Sequence, residues 1–305
     1  MKSLKLLAVV TGLAALTCVP SFAQSKKMTK QEKANLKLAL DWWREAFVAG
    51  HAEVVDKYLD KDMIQHNPNM PDGNERVKGL LANRTPVNPI PATIPADRMP
   101  ALSFAKGDYA VLVWEREEKD PTDPSKTYKH NDFDLFRIAN GKIVEHWDGA
   151  MKNGQGPGNP NESTKPHGGS TGTLSAQEKK NQDIADGEMR DILQYGHLEL
   201  ADKYMAPGYI QHNPNVPGGR EGFKTFFARF AKPTELKPEW KRPPVLVLTS
   251  GNIVFYLVEN QGKDPADPSK TYKYSWFDML RVDDGMIQEH WDTAKKNPPR
   301  PAAKQ

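Results

Sequence analysis

The chain has 305 residues, 38% of them hydrophobic, and a formal net charge of +3. So small a charge excludes nucleic-acid binding by bulk electrostatics, and no apolar run beyond the N-terminal segment is long enough to span a membrane. The length is sufficient for two domains of ordinary size.

The N-terminus reads as a secretory signal. Lys2 and Lys5 form a basic start, residues 6–16 are apolar but too short for a permanent span, and small residues precede a predicted cut after Ala23. Cleavage removes Cys18, the only cysteine, so the mature chain has no disulfide and no thiolate ligand. The formal charge then falls from +3 to +1. We expect a periplasmic or secreted protein.

The rest of the chain is a duplication. Residues 64–69, with the sequence Ile-Gln-His-Asn-Pro-Asn, recur unchanged at 210–215, an offset of 146. Glu-His-Trp-Asp at 145–148 recurs at 289–292, an offset of 144. A period this long indicates a repeated domain and not a solenoid. The predicted boundaries are 1–23 signal peptide, 28–151 domain 1, 152–172 flexible linker, 173–296 domain 2 and 297–305 disordered tail.

Each copy begins with helical signals. Thr29 and Glu32 form a capping box that opens a first helix, and Gly50 is suited to end it in a left-handed conformation. Apolar residues recur between them at helical spacing. Ser175 and Gly196 repeat the two signals in copy two. Two shorter helices are predicted to follow in each copy. They span 52–58 and 75–81 in copy one, and 198–204 and 221–230 in copy two.

Strand signals follow the helices. Residues 109–114 and 253–258 are β-rich, and the stretches 119–129 and 263–273 read as solvated hairpin loops. Asn140-Gly141 then joins two further β-rich runs, which is a strong hairpin signal, and Asp284-Gly285 does the same in copy two. Helices followed by a meandering antiparallel sheet predict an α+β fold.

Hairpin pairing predicts which side chains share a sheet face. If Asn140-Gly141 are the two turn residues, Asp134 lies opposite Trp147 and Phe136 opposite Glu145. His146 and Asp148 then lie on the other face. The same count in copy two sets Asp278 opposite Trp291. An error of one residue in the register would exchange the two groups.

Asp134 is the first candidate for chemistry. A carboxylate in aromatic, poorly solvated surroundings should have a raised pKa, as an acid or base working near neutral pH requires. The alternative is that Asp134 bonds the Trp147 indole or a helix end and does no chemistry.

The histidines leave more alternatives open. His146 and Asp148 could orient an imidazole, or form a metal site with His66. Their motif equally fits a half-exposed strand with an interface tryptophan. His66 and His212 fit either a turn histidine bonded to backbone or a polar contact at a pocket.

Three motifs together carry a family resemblance. Ile-Gln-His-Asn-Pro after a short helix, Phe-Asp-x-x-Arg, and Gly-x-Ile-x-Glu-His-Trp-Asp occur in both copies. They resemble the SnoaL-like polyketide cyclase branch of the nuclear transport factor 2-like superfamily. The resemblance implies a cone-shaped α+β domain with a curved antiparallel sheet around one pocket, and domains that pair through their sheets, here as a pseudo-dimer within one chain.

The resemblance also implies chemistry. Cyclases of this family use an acidic residue, without metal or cofactor, as acid and base in an intramolecular aldol closure, and motif position carries that role to Asp134 and Asp278. We therefore expect a cofactor-free lyase or isomerase acting on a small carbonyl compound. The alternatives are a non-catalytic binder of a small apolar ligand and a structural or partner-binding module. The residues expected to bind the substrate are His66, Asn67, His146, Trp147, His212, Asn213, His290 and Trp291.

Overall fold

The computed structural model describes residues 28–154, 158–159 and 163–298. The predicted signal peptide and nearly all of the predicted C-terminal tail lie outside these residues. Each copy consists of helices packed on a five-stranded sheet. The predicted α+β class and the two tandem domains are confirmed.

The first helix of each copy begins at its predicted capping box. Thr29 accepts a hydrogen bond from the backbone N–H of Glu32, whose carboxylate accepts one from the N–H of Thr29; Ser175 and Glu178 do the same. Both long helices end in a π-helical turn before a glycine of positive φ. None of the described helices combines the length and apolarity that a membrane crossing requires. The helices are α1 Lys30–Trp42, α2 Val55–Tyr58, α3 Glu75–Ala82, α4 Ala176–Asp186, α5 Ala201–Tyr204 and α6 Arg220–Phe227.

The sheets are mixed and not purely antiparallel. Their strand orders are β1-β5-β4-β3-β2 and β6-β10-β9-β8-β7, and the edge strands β1 and β6 run parallel to β5 and β10. Ile64 and Gln65 belong to β1, so the repeated hexapeptide begins in a strand that the sequence patterns did not reveal. The strands are β1 Leu59–Gln65, β2 Leu102–Lys106, β3 Tyr109–Asp120, β4 Asp123–Ala139, β5 Lys142–Asp148, β6 Met205–Gln211, β7 Leu246–Ser250, β8 Ile253–Lys263, β9 Thr271–Asp283 and β10 Met286–Asp292.

The polar stretches predicted as loops differ between the copies. In copy one, residues 119–129 are almost entirely strand, because β3 and β4 continue as a long hairpin up to a turn at 121–122. Cross-strand ion pairs such as Lys129–Glu115 hold this polar hairpin. In copy two the loop prediction is correct for residues 264–270.

The predicted hairpin register is wrong by one residue beyond the turn. Ala139 pairs with Lys142 as counted, but an irregularity then leaves Val144 unpaired, and Asp134 lies opposite Asp148 instead of Trp147. Gln288 is the extra residue in copy two, where Asp278 lies opposite Asp292. A β-bulge of this kind reverses the face of every later side chain.

The bulge decides what each sheet face carries. Asp134, Phe136, His146 and Asp148 share the face that the helices cover. The opposite face carries Phe133, Leu135 and Trp147, and it packs against the corresponding face of the second sheet in one apolar cluster. The rings of Phe133 and Phe277 lie 5.5 Å apart across this contact.

The described part of the predicted flexible linker is held in place. Thr164 is 1% exposed; its carbonyl accepts a hydrogen bond from the Trp147 indole, and its hydroxyl donates to Glu259 of copy two. The Tyr109 hydroxyl donates to the carbonyl of Gly168 at 2.6 Å. Composition suggested flexibility because apolar side chains are few, but backbone hydrogen bonds fix residues 163–172 against the first sheet.

We expect Phe133→Ala to lower the free energy of unfolding by about 3–5 kcal/mol, because it opens a cavity among rings from both copies. Chemical denaturation followed by circular dichroism measures this. Phe230→Ala is the control, because that ring is 60% exposed and its loss should change stability by at most about 0.5 kcal/mol. Two separate transitions, with only the first copy weakened, would contradict a shared core.

Candidate functional site

Copy one contains an apolar cavity of about 230 Å³ between the helices and the sheet. Trp43 forms much of its wall, stacked on Phe47 at 5.1 Å and packed against Trp114 at 4.1 Å between ring centroids. The lining residues are Trp42, Trp43, Phe47, Leu59, Met63, Gln65, Met70, Val77, Leu80, Leu112, Asp134, Phe136, His146 and Asp148.

The few polar groups of the cavity form one hydrogen-bonded chain. Asp134 accepts from the Trp114 indole at 2.6 Å and from Nε2 of His146 at 2.9 Å. Nδ1 of His146 lies 3.0 Å from Oε1 of Gln65, and Phe136 stacks on the imidazole at 5.0 Å. An apolar pocket with a few convergent polar groups is the usual form of a small-molecule site.

These contacts indicate an imidazolium at His146. Oε1 of Gln65 also accepts the backbone N–H of Asn67, so that oxygen faces Nδ1 and both ring nitrogens must donate. Burial alone would lower the pKa of His146, but the hydrogen bond to Asp134 and the charges of Asp134 and Asp148 outweigh it, and the pKa is raised above 6.5.

Asp148 is the second carboxyl group of the cavity. It accepts from Nδ2 of Asn67 at 2.7 Å and from the backbone N–H of Ala150 at 3.0 Å. Burial raises its pKa, the charge of His146 opposes that effect, and the carboxylate of Asp134 adds to it, so the net shift is upward. Asn67 thus positions a carboxyl group, although it does not itself line the cavity.

The cavity adjoins a larger space. A cleft of about 990 Å³ lies between the two copies, and Asp134 and Asp148 line both it and the inner cavity. Aromatic side chains from each copy, Trp114 and Trp276, stand along this cleft. The acidic groups therefore lie where the two spaces meet.

Copy two keeps the histidine–aspartate pair but surrounds it with charge. Nε2 of His290 lies 3.1 Å from Asp278, and Nδ1 lies 3.0 Å from Glu188 and 3.1 Å from the Tyr209 hydroxyl. Burial lowers the pKa of His290, but Glu188 and Asp278 raise it well above 6.5. Burial also raises the pKa of Asp292. The charge of His290 opposes this shift, and the carboxylate of Asp278 adds to it.

Larger side chains also occupy the space that is open in copy one. Tyr256 stands at the position of Leu112, since each pairs with the aspartate of its copy. By the repeat offset, Tyr209 corresponds to Met63 and Phe223 to Val77. Tyr209, Tyr256 and Phe223 are all fully buried. The expected pocket in copy two is thus filled by the protein's own side chains.

Several residues expected at the substrate lie on the other sheet face. Trp147 is buried between the sheets, with His66 stacked on it at 4.4 Å. Trp291 and His212 form the same pair in copy two at 4.6 Å. The predicted face of Trp147 and Trp291 was wrong because the bulges at Val144 and Gln288 were not foreseen.

The alternative of a metal site formed by His66, His146 and Asp148 is not assembled, since His66 lies on the face opposite the other two. Conversely, Gln65 and the aromatic wall were missed as site residues. Recognition of 59–65 as a strand beside 142–148 would have identified Gln65, because its side chain then shares the face of His146.

Comparison with known proteins identifies the domain type. A family described as "SnoaL-like domain" matches residues 40–146 and 188–290, one match in each copy and together more than half of the chain. No curated protein matches the sequence significantly.

Solved structures similar to this chain each correspond to one copy. They are TsrD from Streptomyces laurentii (18% identity, 39% of this chain and 90% of that chain, TM-score 0.28), a candidate SnoaL-like polyketide cyclase from Jannaschia sp. CCS1 (20%, 42% and 99%, 0.30), and an NTF2-like protein of unknown function from Mesorhizobium loti (15%, 40% and 97%, 0.30). At these values the similarity carries no argument about activity.

We expect Asp134→Asn to lower the pKa of His146, because it removes the carboxylate that stabilises the imidazolium. Titration of the His146 side chain by ¹⁵N NMR measures the shift, and Asp62→Asn, at a side chain that is 76% exposed, is the control. In the wild type, the pKa of His146 is raised in the folded state, so protonation of this side chain stabilises the fold. This stabilisation is fully present below pH 6.5 and is lost as the pH rises through the raised pKa. An unchanged His146 titration in Asp134→Asn contradicts the imidazolium assignment.

Proposed function

The chain belongs to the SnoaL-like domain family, and we propose that its first copy is an acid/base enzyme that moves a proton on a small, largely apolar carbonyl compound. The class is a lyase or isomerase that requires no cofactor at this site. The observation that carries the proposal is the group Asp134–His146–Asp148 at the polar end of an aromatic-walled cavity.

Each polar group has a role in the proposed step. Asp134 takes the proton from the carbon next to the carbonyl, with an oxygen lone pair that neither Trp114 nor His146 uses. Burial raises the pKa of Asp148, and in its protonated form this carboxyl group delivers a proton to the carbonyl oxygen as the C–H bond breaks. The positive charge of His146 stabilises the negative charge that develops on the enolate.

The cavity limits the size of the ligand. A buried apolar cavity of about 150 Å³ is known to hold benzene, so about 230 Å³ suits one ring or two fused rings. The aromatic wall of Trp42, Trp43 and Phe47 favours a flat molecule. A larger substituent would extend past Asp134 and Asp148 into the cleft between the copies.

A non-catalytic binder of a small apolar ligand is the second candidate. The observation that favours it is that both oxygens of Asp134 already accept hydrogen bonds from the protein's own side chains, as in a carboxylate with a structural role. Binding without proton exchange is what this alternative predicts.

Two further parts of the proposal concern the whole chain. The basic and apolar N-terminal segment supports export with cleavage after Ala23, which N-terminal sequencing of the mature protein tests. The apolar cluster formed by side chains of both sheets supports a permanent pseudo-dimer of the two copies.

We expect Asp134→Asn to slow α-proton exchange by about 10²–10⁴-fold, the usual contribution of a general base. The measurement is the exchange of α-protons for deuterium in D₂O, followed by ¹H NMR, on a panel of one-ring and two-ring aryl ketones. Affinity for the same ketones, read from quenching of tryptophan fluorescence, should stay within about threefold, since the cavity wall is unchanged.

Asp62→Asn serves as the matched control and should exchange at the wild-type rate. Equal exchange rates in wild type and Asp134→Asn would refute the acid/base role. Binding of ketones with no catalysed exchange in the wild type would instead support the non-catalytic binder.

We expect Leu112→Tyr to abolish ketone binding, because it introduces the side chain that fills this position in copy two. The readout is again quenching of tryptophan fluorescence. Leu236→Tyr, at an exposed leucine, is the control for the added phenol ring and should bind normally. If Leu112→Tyr bound the ketones as tightly as the wild type, the ligand site would not be this cavity.

A further inference from the structure

A second cluster of polar side chains lies on the opposite face of the first sheet. Oε1 of Glu145 is 3.4 Å from Nε2 of His66 and 2.7 Å from Nδ1 of His167. These three atoms all lie within 4.8 Å of one another. His66 and Glu145 are fully buried, whereas the side chain of His167 is 49% exposed, so the cluster opens to solvent on one side only.

The surroundings orient His66 as a metal ligand would be oriented. Its Nδ1 donates to the backbone carbonyl of Ser163 at 2.7 Å, which leaves Nε2 directed at the carboxylate. Trp147 stacks on the ring with an angle of 4° between the planes, which fixes the plane of the imidazole. A second hydrogen bond of this kind on a ligating histidine is typical of metal sites.

The carboxylate is held in the same way. Oε2 of Glu145 pairs with Arg137. Oε1 faces both imidazoles and also accepts the backbone N–H of His167 at 2.9 Å. Because Nδ1 of His66 donates to the Ser163 carbonyl, Nε2 of a neutral His66 carries a lone pair. That lone pair would point at the buried Oε1 of Glu145. Two buried acceptors that face each other need a cation between them, either a proton or a metal ion.

We propose that His66, Glu145 and His167 bind a divalent transition-metal ion, with Zn²⁺ as the best fit to two imidazole nitrogens and one carboxylate oxygen. Zn–N and Zn–O bonds of about 2.0–2.2 Å in tetrahedral geometry separate ligand atoms by roughly 3.3 Å. The pair His66–Glu145 already has that spacing at 3.4 Å. His167 must withdraw slightly, which its exposed position allows.

The site joins the segment between the copies to the first sheet. His66 directly follows β1 and Glu145 lies in the middle of β5, whereas His167 belongs to residues 163–172. Three protein ligands leave the fourth position to water, on the side where His167 meets solvent. This face of the sheet is not the one that carries the cavity, so the proposal is independent of the proposed function.

Copy two provides an internal comparison. His212 and Glu289 repeat the pair, with Nε2 3.0 Å from Oε2, and Arg281 repeats the second ion pair. No histidine of the described residues occupies the position of His167 there. The same two ligands without the third should bind zinc weakly, so we expect one zinc ion for each chain at this kind of site.

Titration of tag-free, EDTA-treated protein with Zn²⁺ in a calorimeter tests the proposal. We expect one tight site in the wild type and at least a hundredfold weaker binding in His167→Ala, which removes an exposed side chain and leaves the fold intact. His212→Ala, the matched variant in copy two, should bind as the wild type does. Substitution by Co²⁺ should give the visible absorption of a tetrahedral ion only when His167 is present.

Thermal unfolding supplies a second readout. Zn²⁺ should raise the melting temperature of the wild type and of His212→Ala but not of His167→Ala, because a ligand stabilises only a fold that binds it. The proposal is overturned if the wild type binds no zinc below about 100 µM, in which case a proton alone bridges the cluster. Equal affinity in the wild type and His167→Ala also overturns it.

Discussion

One unpaired residue in β5 determines which side chains lie on each face of the first sheet. Val144 has no partner in β4, so the side chains beyond it reverse their faces relative to a regular hairpin. His146 and Asp148 thereby join Asp134 under the helices, while Trp147 joins the contact between the sheets. In a regular ladder the imidazole would lie in the apolar contact, where an ionised group without partners costs several kcal/mol. The bulge therefore separates the polar site from the core on which the pairing of the two sheets depends.

The two copies place the same histidine–aspartate pair in different surroundings. In copy one, His146 and Asp134 face an apolar space, and the pair keeps some solvent contact, since the Asp134 side chain is 25% exposed. In copy two, Glu188 stands where copy one has Trp42, and Tyr209 closes the space. His290 is then surrounded by acids and has the more strongly raised pKa. Such a closed ionic network stabilises a core geometry but offers no room for a substrate.

The sequence predicts those features that depend on local chemistry. Capping residues set the start of the first helix in each copy, Asn140-Gly141 adopts the positive φ angles of a tight hairpin turn, and the repeated motifs identify the duplication and the family. It does not predict features that depend on distant partners. The strand at 59–65 has no clean alternation and forms because β5 lies beside it. The bulge at Val144 has no turn residue to mark it, and it alone reversed the predicted grouping of Asp134 and Trp147.

The identical hexapeptides show how far a repeated motif depends on residues outside the repeat. His66 and His212 have the same neighbours in sequence and stack on equivalent tryptophans, yet the His66 side chain is fully buried and that of His212 is 31% exposed. The difference comes from residues 163–172, which cover His66 and have no counterpart in the described part of copy two. Ser163 orients the imidazole and His167 completes its set of neighbours. A segment that belongs to neither copy thus makes the two motifs chemically unequal, and duplication alone would have left them alike.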